Sequence, residues 1–174
     1  MLRQKTKSET AQIHKFVEGL PTMKKIMDST ITPTQYHRYL SDIFRIYQTL
    51  ESKMATVLPD LTQPGYSDHI IHDLSSLGGI LDESHPAASY CKYIMNISSK
   101  TRLIAHIYVR FYADAYGGKI IARKLKANNL PIESYKGKLD NSIEDYINTR
   151  ITDHDAFIAE VHVAYLSYCG ILLI

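Results

Sequence analysis

The chain has 174 residues, 45% of them hydrophobic and 22% charged, which suits one globular domain with a sizeable core and excludes a disordered chain. A formal net charge of only +2 argues against a nucleic-acid binder driven by bulk electrostatics, although a local basic patch stays open. Cys91 and Cys169 have neither CxxC nor zinc-ligand spacing, so they read as two reduced thiols of a cytoplasmic protein, with a single disulfide as the alternative.

The N-terminal MLRQKTKSETAQIH is polar and lacks the apolar core of a signal peptide. Ile13, Phe16, Val17 and Leu20 then follow helical spacing, and Pro21 marks the expected end of this first helix. Thr32 as N-cap and Pro33 at the first helical position open a second, whose apolar stripe is Tyr36, Tyr39, Leu40, Ile43, Tyr47, Leu50 and Met54. Between Leu58 and Gly79, two prolines and three glycines predict two short helices and turns. His85-Pro86 opens a helix running to about Ser98, and a long helix follows over about Thr101 to Ala127. Asn128–Pro131 breaks it, a short helix is expected over Ser134–Tyr146, and Thr152 begins the last. No stretch alternates for long enough to demand a sheet, so the class is all-α with seven or eight helices. The apolar stretches fall short of a membrane span, so no membrane anchor is expected.

Two segments carry chemistry. In IYVRFYADAYGGKIIARKL, Gly117 and Gly118 interrupt a helical pattern, and each costs the helix about 1 kcal/mol relative to alanine. Close approach of another backbone or of a flat ligand, or a kink, would account for that cost. Arg110, Asp114 and Gly117 share one face of this helix, either as a surface ion pair beside a packing contact or as a polar binding face. Near the N-terminus, Lys7, Ala11, His14 and Glu18 form one helical stripe. Lys7 lies two turns from His14, about 10 Å along the axis. A histidine in such a stripe serves either as polar surface or as an axial ligand whose other ring nitrogen Glu18 could hold.

AHIYVRFYADAYGGK, from Ala105 to Lys119, resembles the distal helix of haem oxygenases, whose pattern is approximately AHxYxRYLGDLSGGQ. TKSETAQIH, ending at His14, is similar to the family's first helix, which ends on the proximal ligand. STITPTQYHRYLSDIFRIYQTLE aligns with the next family segment without a gap. The resemblance implies haem (heme b, both cofactor and substrate) sandwiched between the first helix and a kinked distal helix, with its iron on His14. It implies cleavage at a meso carbon to biliverdin, CO and ferrous iron, using O2 and electrons from an external reductase or ferredoxin. It implies a proton supply organised by Asp114, Arg110 and Tyr47. Haem contacts would come from Lys7, Ala11, Glu18, Tyr108, Ala113, Gly117, Gly118 and Lys136.

The chain departs from the pattern at Ala113, where the family has a glycine, at Tyr116, where it has a serine, and at Asp140, where it has an arginine. These departures motivate a competing reading, a haem-binding sensor or carrier without turnover. A haem-free relative of the same fold, such as a thiamin-salvage hydrolase or a di-iron oxidase, is a third. The carboxylate and histidine set of a di-iron site cannot be assembled here. The other histidines have no paired metal spacing, and the 13 tyrosines have no assigned role.

Overall fold

In the computed structural model, residues 2–137 and 141–173 are described, without the side chains of Arg3, Ala113 and Asp114. Local signals set most helix starts. Thr32 and Gln35 form a reciprocal capping box at the head of α4 (Pro33–Val57). The side chains of Ser84, Ser99 and Asp153 cap α6 (His85–Met95), α7 (Lys100–Ala127) and α9 (His154–Cys169). The remaining helices are α1 (Leu2–Glu9), α2 (Ala11–Glu18), α3 (Pro21–Met27), α5 (Tyr66–Ser76) and α8 (Ser142–Arg150), with 3-10 turns at Glu133–Tyr135 and Gly170–Leu173. The described residues contain no strand, so the class is all-α as the periodicity predicts.

α7 packs along α9, while α4 packs on α5 and α6 and passes beneath α7. The α4 stripe is buried as expected, and Ser41, Asp42, Phe44 and Ile46 are buried with it because neighbours cover a second face. Gly78 and Gly79 have φ of 106° and 101°, which turns the loop back onto α4. There the carbonyls of Gly79 and Leu81 lie 2.6 Å from His37 Nε2 and 2.9 Å from Arg45 Nη2.

The structure corrects several expectations. The first helix is two, meeting at Thr10 (φ −100°, ψ 6°), and Phe16 is 58% exposed rather than core. The helix before Pro21 does end, at Glu18, and Pro21 also begins α3, since proline is well suited to a first helical turn. Only one helix, α5, occupies the 58–79 region, and the segment after Asn128 forms a 3-10 turn, with α8 starting at Ser142. Finally, His154–Leu173 is long and apolar enough to cross a membrane. Half of that window is buried, with Phe157, Val161, Ala164 and Tyr168 among the core residues of α9.

Candidate functional site

A cleft of about 770 Å³ lies between α1–α2 on one side and α7 and α9 on the other, with Tyr39 of α4 also in its lining. The stripe read from the sequence faces it: Lys7, Ala11, His14 and Glu18 all line the cleft. The His14 side chain is 52% exposed, so its imidazole is open to a ligand. Its Nδ1 is 3.6 Å from Glu18 Oε1. The Tyr165 ring stands edge-on to it, 5.9 Å away at 85°, which limits rotation of the imidazole. Burial pushes the Tyr165 phenol up to about 12, so this hydroxyl stays protonated at neutral pH.

Across the cleft, α7 presents Tyr108, Arg110, Tyr112, Tyr116 and Gly117. Arg110 is 4% exposed, so it is a buried part of the cleft wall and not a solvated surface charge. Its guanidinium carbon sits 3.7 Å from the centre of the Tyr168 ring, and Tyr168 Oη is 2.8 Å from Tyr39 Oη. A Cβ added at Gly117 would meet nothing within 4 Å, so this part of the helix offers bare backbone to the cleft. Gly118 differs: its Cβ would lie 3.1 Å from Tyr135 Cδ1, so that glycine serves packing against the 3-10 turn. The packing reading of the glycine pair therefore fits Gly118, while Gly117 has open space beside it.

Besides Gly118, which does not line the cleft, two expected residues stand elsewhere. Tyr47 is fully buried behind α7 and does not line the cleft; its hydroxyl donates to the Arg110 carbonyl at 2.9 Å, and its ring stacks on Phe111. Lys136 is also absent from the cleft wall, because Glu133 Oε2 holds its ammonium at 2.6 Å. The turn carrying it is anchored by Asp73, which accepts from the Ser134 amide and hydroxyl at 2.8 and 2.6 Å. The side chains of Asp114 and Ala113, with Lys138 and Asp140, lie outside the described residues.

Sequence reasoning missed the contributions of Tyr39, Tyr165 and Tyr168 to the cleft. The spacing of Tyr165 and Tyr168 on one face of α9 was the available signal. It also missed a buried cluster behind the cleft. His106 is 0% exposed, with Nδ1 2.8 Å from Tyr90 Oη and Nε2 2.9 Å from Glu160 Oε1. Arg102 and Tyr93 also donate to Glu160, at 2.9 and 2.7 Å. Burial acts to raise the Glu160 pKa, but the hydrogen bonds from His106, Arg102 and Tyr93 outweigh it and bring the group to about 2. This cluster ties α6, α7 and α9 together.

A family model described as Heme oxygenase matches residues 1–140. The chain belongs to the heme oxygenase family. A heme oxygenase of Guillardia theta is 26% identical over 162 residues, covering 85% of this chain. The chain spans 66% of that relative's length. Among solved structures, the heme oxygenase of Leptospira interrogans superposes with a TM-score of 0.84 at 22% identity, covering 99% of this chain and 98% of that one. Heme oxygenase-1 of Synechocystis sp. PCC6803, solved in complex with heme, gives 0.87 at 18% identity over 98% and 90% of the two chains. The fold is shared more widely: a TenA homologue from P. horikoshii OT3 gives 0.73 at 12% identity, over 99% and 96%. In this heme oxygenase family member, the cleft between α2 and α7 is thus where the sequence stripe, the bare Gly117 backbone and the stacked Arg110 converge.

Proposed function

We infer that the protein is a working haem oxygenase. It holds haem in the cleft through His14 and opens the macrocycle at a meso carbon, giving biliverdin, CO and ferrous iron from O2 and externally supplied electrons. The observation that carries this reading is that an accessible imidazole at His14 and bare backbone at Gly117 line the same cleft from opposite helices. The lining suits a flat, amphiphilic, anionic molecule: tyrosine rings and aliphatic side chains for the plane, and lysines for its carboxylates.

When bound, haem supplies the redox-active iron and the carbon framework that is cut. The protein's own groups do the rest. His14 offers a ring nitrogen, with Glu18 beside Nδ1 to orient the imidazole. Lys7 meets a carboxylate at the cleft edge, and Tyr108 lies on the wall that faces another. Ala11 and Gly117 keep both faces low enough for a planar ligand. Arg110, held on Tyr168, lends positive charge to the distal wall. Asp114, one helical turn beyond Arg110, organises water that delivers protons, with Tyr47 bracing the helix from behind. Met23, Val17 and Ile121 exclude bulk water. The electron donor is a soluble reductase or ferredoxin, and the setting is cytoplasmic.

The test is an absorption time course of protein with equimolar haem, reductant and air, with catalase present. Loss of the Soret band with growth of a biliverdin band is expected. A Soret band that persists would establish the sensor or carrier reading, which the bulk of Tyr116 in the cleft wall favours. An unshifted Soret band on adding haem would leave only the fold in common with the family.

A further inference from the structure

Thirteen tyrosines in 174 residues, with no tryptophan, is a composition that haem cleavage does not require. Three of them form a column. Tyr108, Tyr112 and Tyr116 recur every four residues along α7, and all three line the cleft. Tyr112 and Tyr116 are stacked, with centroids 5.6 Å apart and planes at 17°. Tyr108 and Tyr112 follow at 5.3 Å and 37°. Beyond Tyr108 the next ring is Phe157, at 5.9 Å and 64°, which has no phenol to oxidise. The column is half-buried at Tyr108, buried at Tyr112 and exposed at Tyr116. Tyr112 is 7% exposed, whereas Tyr116 is 60% exposed. Among the described residues Tyr116 is the one tyrosine in the exposed class.

Packing alone does not explain this arrangement, because a fully buried column would serve the core better than one ending in solvent. Contacting phenols exchange an electron readily when each can release its proton, and a chain of them moves a hole by short steps. We propose that Tyr108, Tyr112 and Tyr116 form a one-electron relay from the cleft to the surface, giving the haem-loaded protein a second, peroxide-consuming activity. The proposal rests on the reading that the cleft holds haem.

The chemistry balances with hydrogen peroxide as the named oxidant. One peroxide takes two electrons and two protons and leaves as two waters. Each electron and its proton come from a tyrosine, which becomes a neutral phenoxyl radical. The hole passes outward through Tyr112 and comes to rest on Tyr116. There a small soluble phenol can refill it by giving up its own hydrogen atom. With no such donor, Tyr116 radicals of two molecules join through a carbon–carbon bond ortho to oxygen, and rearomatise as dityrosine without further loss of atoms.

The experiment adds hydrogen peroxide to the haem-loaded protein, without reductant, and reads three signals. They are the tyrosyl radical by electron paramagnetic resonance on rapid freezing, dityrosine fluorescence, and the covalent dimer on a denaturing gel with its cross-link mapped by mass spectrometry. A dimer linked through Tyr116 is expected, and haem-free protein should form none. Y116F retains the ring and should lose the dimer, with the yield read per haem bound, as judged by the Soret band of the same sample. Y112F removes the middle phenol but not its packing, and should slow dimer formation and weaken the radical signal. An added soluble phenol should suppress the dimer and itself be oxidised. A dimer linked elsewhere, or an undiminished dimer rate in Y112F, would overturn the relay. An unshifted Soret band in the unmodified protein would instead overturn the haem reading, and the relay with it.

Discussion

The Arg110 guanidinium lies over the Tyr168 ring, 3.7 Å from its centre, and both residues belong to the cleft wall. A cation placed there is stabilised by the ring quadrupole because solvent is largely excluded, an effect worth about 2 kcal/mol when desolvated. Arg110→Met keeps length and apolar stem but removes the charge. Denaturant unfolding of the haem-free variant should show a loss of about 1–2 kcal/mol, and haem titration should show weaker binding. Unchanged values in both would mean that the stack contributes to neither fold nor cleft.

The glycine pair makes a paired prediction. Gly117→Ala places a methyl where nothing lies within 4 Å and improves the helix by about 1 kcal/mol. The haem-free protein should melt higher while haem binds less tightly, because the methyl stands in the ligand's space. Gly118→Ala brings its methyl to 3.1 Å from Tyr135, which offsets the helix gain, so its melting temperature should stay below that of Gly117→Ala. Melting curves with and without haem check both. A lower melting temperature for Gly117→Ala would contradict the open backbone.

His14→Ala should leave the fold untouched, since the side chain is 52% exposed, and should abolish the axial imidazole signature in the spectrum of added haem. An identical ligand-field spectrum would exclude His14 as ligand. Asp114→Ala should bind haem with the same Soret band but yield far less biliverdin; undiminished yield would remove the aspartate from proton supply.

Acid stability follows from Glu160. Its pKa is lowered from 4.5 to about 2 by the hydrogen bonds it accepts in the folded protein. A depressed carboxylate stabilises the fold above its unfolded pKa, and that stabilisation fades as pH falls through the folded value. Between about pH 4.5 and 2 the unmodified protein should therefore lose stability steadily. Glu160→Gln should be less stable at neutral pH and show a flatter dependence across that window. Parallel curves from pH-dependent thermal melts would mean that Glu160 is not the group responsible.

Local chemistry was legible in the sequence, and long-range partnership was not. The Thr32 and Pro33 start of α4 and the limits of α7 depend on capping and breaking residues within a few positions, so they read directly. The Lys7–Ala11–His14–Glu18 stripe was legible because one helical face holds it. The break at Thr10 was hidden in a hydroxyl habit: Thr6 and Thr10 bond back to the carbonyls of Leu2 and Thr6 at 3.0 and 2.8 Å, a pattern that bends helices. Lys136 was misplaced because its turn is set by Asp73 from a helix some sixty residues away. The spacing of Tyr165 and Tyr168 shows that they share a face of α9, but that this face meets His14 and Arg110 is set by long-range packing.

The shallow seating of the two leading helices has a dynamic consequence. Of the described side chains in α1 and α2, Leu2, Thr6 and Val17 are buried, joined by Thr10 at the junction between them. So small an anchorage places their opening far below global unfolding on the free-energy scale. Backbone amides of residues 2–18 should exchange with deuterium early, while those of α4 and α7 stay protected. A ligand bonded to His14 and closed against α7 joins these helices to the body and raises their protection by its binding free energy. On the proposed haem reading, residues 2–18 would then act as a door whose latch is the ligand itself, admitting the macrocycle when ajar and letting the opened product go once that bond is lost.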